Sequence, residues 1–81
     1  MENPLLNAIK ICGSQSELGK RIGKGQYIVT AWVRRYGCKV SAEYVVQVSQ
    51  AVDWKITPHE LRPDLYPHPD DGLPEHMRHA A

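Results

Sequence analysis

Residues 13–32 read GSQSELGKRIGKGQYIVTAW, and the fold is decided inside this stretch. Ser14 and Glu17 have the S-x-x-E spacing of a capping box, in which the serine oxygen accepts a backbone N–H and the glutamate reaches back. A helix is therefore expected from Ser14, with Leu18 and Ile22 as its buried stripe. Gly23-Lys24-Gly25 interrupts it, and Gly23 supplies a residue that adopts positive φ without steric penalty. The next helix runs from about Gln26 to Tyr36, with Val29, Trp32 and Val33 as its apolar side and Gly37 at the position that ends it. Two short helices joined by a glycine-containing turn form a helix-turn-helix. Gly19 provides the small residue needed where two such helices cross closely.

The flanks extend the same helical pattern. Asn3 is a good N-cap and Pro4 suits the first helical position, so a helix is expected from there to Gly13, burying Leu5, Ile9 and Cys12. Ser41 caps a fourth helix carrying Val45, Val48, Ala51 and Val52 and ending near Trp54. Thr57-Pro58-His59-Glu60 repeats the capping box with proline at N1, giving a short helix that fails at Pro63. Ile56 and Leu61 are expected inward, Leu65 and Tyr66 toward a partner. The expected architecture is all-α, with four to five short helices in a domain of residues 1–66. Residues 67–81 read as a flexible tail, because four of the six prolines fall in residues 63–81 beside Asp70, Asp71 and Glu75.

Composition limits the function classes. A chain of 81 residues forms one small domain, since at this size only about 60–65% of the unfolded surface is buried. Apolar runs such as Tyr44-Val45-Val46 are far short of the roughly 20 residues a spanning helix needs, and the N-terminus has no basic stretch before an apolar core. The chain reads as cytoplasmic. Cys12 and Cys38 have no CxxC spacing and read as small buried or half-buried thiols, with a disulfide or metal role as the alternative. His76 and His79 have the i, i+3 spacing of a metal pair, but an apolar framework to fix four ligands is missing and a free tail is the better reading. Asp70, Asp71 and Glu60 have neither pocket nor nucleophile beside them, so no catalysis and no cofactor are expected.

Charge and the outer face of the third helix point to a polyanion. Residues 1–40 hold seven Lys/Arg and two Asp/Glu, a balance of +5, whereas residues 41–81 hold three and seven, a balance of −4. Lys20, Arg21, Lys24, Arg34, Arg35 and Lys39 follow one another with no acid between them. Gln26, Tyr27, Thr30, Ala31 and Arg34 recur along the solvent side of the third helix. Such types suit a major groove: Gln pairs with an adenine edge, Thr and Ala meet the thymine methyl, and Arg reads guanine or holds phosphate. Lys20, Lys24, Arg35 and Lys39 flank that face and would meet phosphates, as would Gln15 and Ser16 at the start of the second helix. The alternative is a helical hairpin with a polar, unpartnered face.

The run GSQSELGKRIGKGQYIVTAW, then VRRYG, SAEYVVQVSQA and ITPHELRPDLYP, resembles the Cro-like repressors of phages and prophages, in particular the YdaS-like antitoxin group. The resemblance covers about residues 4–66. It implies a lambda-repressor-like fold that binds double-stranded operator DNA, usually an inverted repeat, as a homodimer formed in solution or only on DNA. Gln26, Tyr27, Thr30 and Ala31 would then read bases, with Gln15 in a supporting phosphate contact. Two positions depart from the family pattern: Gly19 stands where Ala is usual, and Gly25 where Ser or Thr caps the recognition helix. Each weakens local helix stability by up to ~1 kcal/mol. A second reading is an antitoxin-type protein that binds a toxin partner through its acidic second half; a third is an activator or an architectural factor.

Overall fold

Asn3 opens the chain's first helix as its sequence predicts: the side-chain oxygen accepts from Leu5 N and Leu6 N, and Pro4 occupies N1. The computed structural model describes residues 3–78. Helix α1 spans Pro4–Cys12, α2 Gln15–Arg21, α3 Gln26–Arg35, α4 Val45–Ala51 and α5 Pro58–Leu61. Single 3₁₀ turns at Ala42–Tyr44 and Glu75–Met77 complete the helical content, and no strand occurs among the described residues. None of the helices is long and apolar enough to cross a membrane.

Each boundary has a local cause. Gly13 at φ 106° ends α1, and its N–H bonds back to Ile9 and Lys10. Ser14 Oγ accepts from Glu17 N at 3.0 Å, but Glu17 turns its carboxylate to Arg21 at 3.3 Å instead of reaching back, so the box at α2 is half formed. At α5 the box is complete, with Thr57 and Glu60 each serving the other. Gly23 (φ 76°) and Gly37 (φ 67°) take the left-handed conformations their turns require.

The core is one cluster drawn from every helix. Leu5, Ala8 and Cys12 of α1 meet Leu18, Ile22, Val29 and Trp32, closed by Val40, Val45, Val48, Val52, Ile56 and Leu61. Ala8 takes the central place expected of Ile9, which lies at the edge of the cluster. Burying an aromatic or aliphatic side chain of this kind contributes about 1.5–3 kcal/mol. Trp32 therefore anchors α3 strongly, provided its indole N–H finds a partner. Ser41 Oγ supplies it, at 3.1 Å. With that oxygen engaged, Ser41 makes no side-chain cap, and the chain enters α4 through the 3₁₀ turn. Helix α4 stops at Ala51, before Trp54, because Asp53 (φ 54°) and Trp54 (φ 62°) are left-handed and Ser49 Oγ bonds the Ile56 carbonyl at 2.6 Å across the resulting loop.

The segment after Tyr66, whose composition reads as a flexible tail, forms successive turns over residues 67–78, with Leu73 buried and Gly72 laid against Pro58 and the Tyr66 ring. Arg78 Nε donates to the Leu73 carbonyl at 2.9 Å. The physical reason is the Leu73 side chain, which gives this proline-rich stretch one apolar anchor. His79 of the His76 and His79 pair lies outside the described residues. Among those described, no group of three or more His, Cys, Asp or Glu could hold a metal ion.

Candidate nucleic-acid interface

Helices α2 and α3 are the most closely packed pair in the molecule, and Gly19 is the reason. A Cβ at Gly19 would lie 2.7 Å from the Gly25 carbonyl oxygen and 2.8 Å from its carbon, so the start of α3 rests directly on the α2 backbone. Glycine here permits a close approach rather than merely loosening a helix. Leu18 and Ile22 on one side and Val29 and Trp32 on the other fill the space beyond.

With Val29 and Trp32 turned inward and Ile28 and Val33 packed at the edge of the core, helical periodicity leaves the polar side of α3 facing outward. Gln26, Tyr27, Thr30, Ala31 and Arg34 line one open cleft of about 540 Å³. All five expected base-reading residues are thus brought together. Arg35, which the sequence assigned to phosphate, is a sixth member of the same lining. The cleft wall carries two guanidinium groups, one carboxamide, one phenol and two small methyl-bearing residues. It presents donors, acceptors and apolar contacts along a single helix.

Thr30 is half-buried, and its Oγ1 donates to Gln15 Oε1 at 2.6 Å. This bond joins the first residue of α2 to the middle of α3, an arrangement that sequence spacing does not reveal. It commits the Thr30 hydroxyl proton and one lone pair of the Gln15 oxygen inside the protein. What remains for a partner is the Gln15 amide N–H group, a donor suited to phosphate, together with the acceptor lone pairs of the Thr30 hydroxyl and the Thr30 methyl group. Ser16 is exposed beside it, at the second position of α2.

The basic residues divide in two. Lys20 and Lys24 are exposed near the α2–α3 turn, Lys24 with its Nζ 5.8 Å from the Tyr44 ring centroid. Such a contact holds an ammonium loosely, at about 0.5–1 kcal/mol, and leaves it available to an anion. Lys39 lines a second cleft, of about 360 Å³, with Tyr36, Val40, Ser41, Ala42 and Arg62. Arg62 carries no signal in the sequence, because one of its partners lies far back along the chain. Its guanidinium donates to the Val40 carbonyl at 2.8 Å and forks onto Asp64 at 2.9 and 2.7 Å. That hydrogen-bonded guanidinium pulls the Asp64 carboxyl down to about 2.

Neither cysteine is activated. Burial pushes both thiols up from their ordinary value, and at Cys12 the opposing charge of Arg21 does not reverse the shift. Both are free, Cys12 buried and Cys38 half-buried. The expected partner surface at Leu65 and Tyr66 is split by the structure. Leu65 is 44% exposed, but Tyr66 packs against the core, held by the His59 Nδ1–H donating to its carbonyl at 2.7 Å.

Five helices around one core, a glycine-seated crossing and an open polar strip on the second helix of the pair define a Cro-type helix-turn-helix protein. The chain matches the family described as bacterial toxin YdaS over residues 5–70, and it belongs to that family. It is similar to the Cro protein from the putative prophage element Xfaso 1 in Xylella fastidiosa strain Ann-1, at 29% sequence identity and a TM-score of 0.72. The likeness covers 80% of this chain and 97% of that one. No curated protein matches it.

Proposed function

We propose that this protein is a sequence-specific DNA-binding regulator, a Cro-like repressor acting at a phage or prophage operator. The observation that carries this reading is the cleft on α3 that holds Gln26, Tyr27, Thr30, Ala31, Arg34 and Arg35. Helix α3 enters the major groove with Gln26, Tyr27, Thr30, Ala31 and Arg34 toward base edges. Gln15, Ser16, Lys20, Lys24, Arg35 and Lys39 meet phosphates on either side, which fixes register without reading sequence. Two copies on an inverted repeat place their recognition helices in successive major grooves, about 10 bp apart. Leu65, exposed beyond α5, is the side chain that would face the second copy.

The test is selection of sites from a randomised duplex library by the purified protein at near-physiological salt. Recovery of an inverted repeat is expected; recovery of nothing above background would remove the regulator reading. Gln26→Ala and Thr30→Ala should each weaken binding to the recovered site about tenfold and relax preference at one base position, the discrimination of a typical base contact. Arg35→Ala should weaken binding equally on all sequences and reduce the salt slope by about one, as expected when one phosphate contact is lost. An unchanged slope would move Arg35 from phosphate to base.

The family description names a toxin, which gives the antitoxin reading no support. Overproduction of a regulator that blocks a promoter essential for growth would itself be harmful, so toxicity and repression need only one surface. Overproduction of Gln26→Ala should then be less harmful than overproduction of the unaltered protein. Equal harm from both would favour an interaction with a partner protein.

A further inference from the structure

Gly25 is the N-cap of α3, at φ −88° and ψ 172°, an extended conformation that any residue adopts. The backbone therefore gives no reason for glycine. Capping chemistry argues against it, because Ser, Thr, Asp or Asn would satisfy a first-turn N–H that here has no side-chain acceptor. The reason lies in space. A Cβ on Gly25 would fall 2.9 Å from Tyr27 Cδ1 and 3.1 Å from Tyr27 Cε1. The tyrosine ring occupies the place a side chain at residue 25 would take.

The backbone of Gly25 cannot retreat to make room, since its carbonyl already rests against Gly19. Any side chain at 25 must displace the ring instead. Tyr27 is 72% exposed, so the ring has solvent to move into. It is also shared by two clefts, the one along α3 and a neighbouring one lined by Ile28, Trp32, Tyr36 and Tyr44. Moving it changes the shape of the end of α3 where Gln26 stands.

We propose that Gly25 is a specificity-determining position that acts through Tyr27: the bare N-cap seats the phenol ring over the first turn of α3 and thereby fixes which part of a bound duplex the ring meets. This inference rests on the DNA-binding reading above. Gly25 is a positioning residue, and Tyr27 makes the contact.

The experiment compares the unaltered protein, Gly25→Ser, Tyr27→Ala and the double variant for thermal stability and for affinity toward every single-base variant of the selected duplex. Gly25→Ser is expected to keep or slightly raise Tm while affinity for the selected duplex falls about tenfold, the scale of one lost base contact. Its base preference should change only at the positions where Tyr27→Ala changes it. In the double variant the serine should add no further loss. NMR supplies a readout independent of DNA: the Gly25 Hα protons should show a ring-current shift that disappears in Tyr27→Ala. If Gly25→Ser binds with unchanged affinity and preference, or weakens binding equally with Tyr27 absent, the inference is overturned while the DNA reading stands. If the unaltered protein selects no duplex, both fall.

Discussion

At Gly19 two physical preferences oppose each other. Alanine in a helix interior is favoured over glycine by about 1 kcal/mol, and the family pattern that the sequence resembles has alanine there. Against this stands a Cβ at 2.7 Å from the Gly25 carbonyl oxygen, a backbone atom that moves only if α2 and α3 part. Forcing one extra methyl into such a site costs about 1–3 kcal/mol. Overpacking outweighs helix propensity, so Gly19→Ala is expected to destabilise the fold by ~1 kcal/mol, read as a lower urea midpoint with an unchanged m-value. A stabilised variant would show that the two helices separate freely and that the crossing is not set by residue 19. Gly19 and Gly25 differ in what an added side chain would meet: at 19 the obstacle is backbone, at 25 it is a movable ring.

At the scale of elements, the link between α3 and α4 depends on one hydroxyl. Trp32 is 2% exposed, and its indole N–H donates to Ser41 Oγ. Ser41→Ala leaves a buried donor without this acceptor, at a penalty of about 1–3 kcal/mol. It should lower Tm, whereas Ser41→Thr, which keeps the hydroxyl, should recover most of the loss; equal loss in both would assign the effect to packing around Trp32. This pair also shows where sequence reading succeeds and where it stops. Asn3, Gly13, Thr57 and Gly37 act on backbone groups within a few residues, so the starts and ends they govern are legible in the sequence. Ser41 has the composition of a cap but bonds nine residues back, and Gln15 bonds Thr30 fifteen residues on, so neither role is legible in local spacing. The strip on α3 is legible because helical periodicity alone decides which side chains share a face. Its coupling to α2 is not.

For the molecule as a whole, the segment after Tyr66 turns back against α5, with Gly72 beside Pro58 and the Tyr66 ring. Leu73 is 8% exposed, and burial of a leucine contributes about 1.5–3 kcal/mol before the entropy of ordering its segment is subtracted. Ending the chain after Tyr66 should therefore lower stability by ~1 kcal/mol, and an unchanged urea midpoint would restore the free-tail reading. This closure is hidden in the sequence because prolines and acids dominate the segment and a single leucine carries the packing. Arg62 adds a second closure, tying Val40 beyond α3 to Asp64 beyond α5. The Asp64 carboxyl sits at about 2 against an ordinary 3.8, so the folded state holds the carboxylate form more firmly than the unfolded chain does. The stabilisation is fully present above about 3.8 and is lost as pH falls toward about 2. Asp64 is more than half exposed, so water and salt screen the pair and the effect is small. Asp64→Asn should flatten the fall in Tm across that acid range relative to the unaltered protein, and added salt should bring the two profiles together. Parallel profiles at low salt would mean that Arg62 holds the fold through the Val40 carbonyl alone.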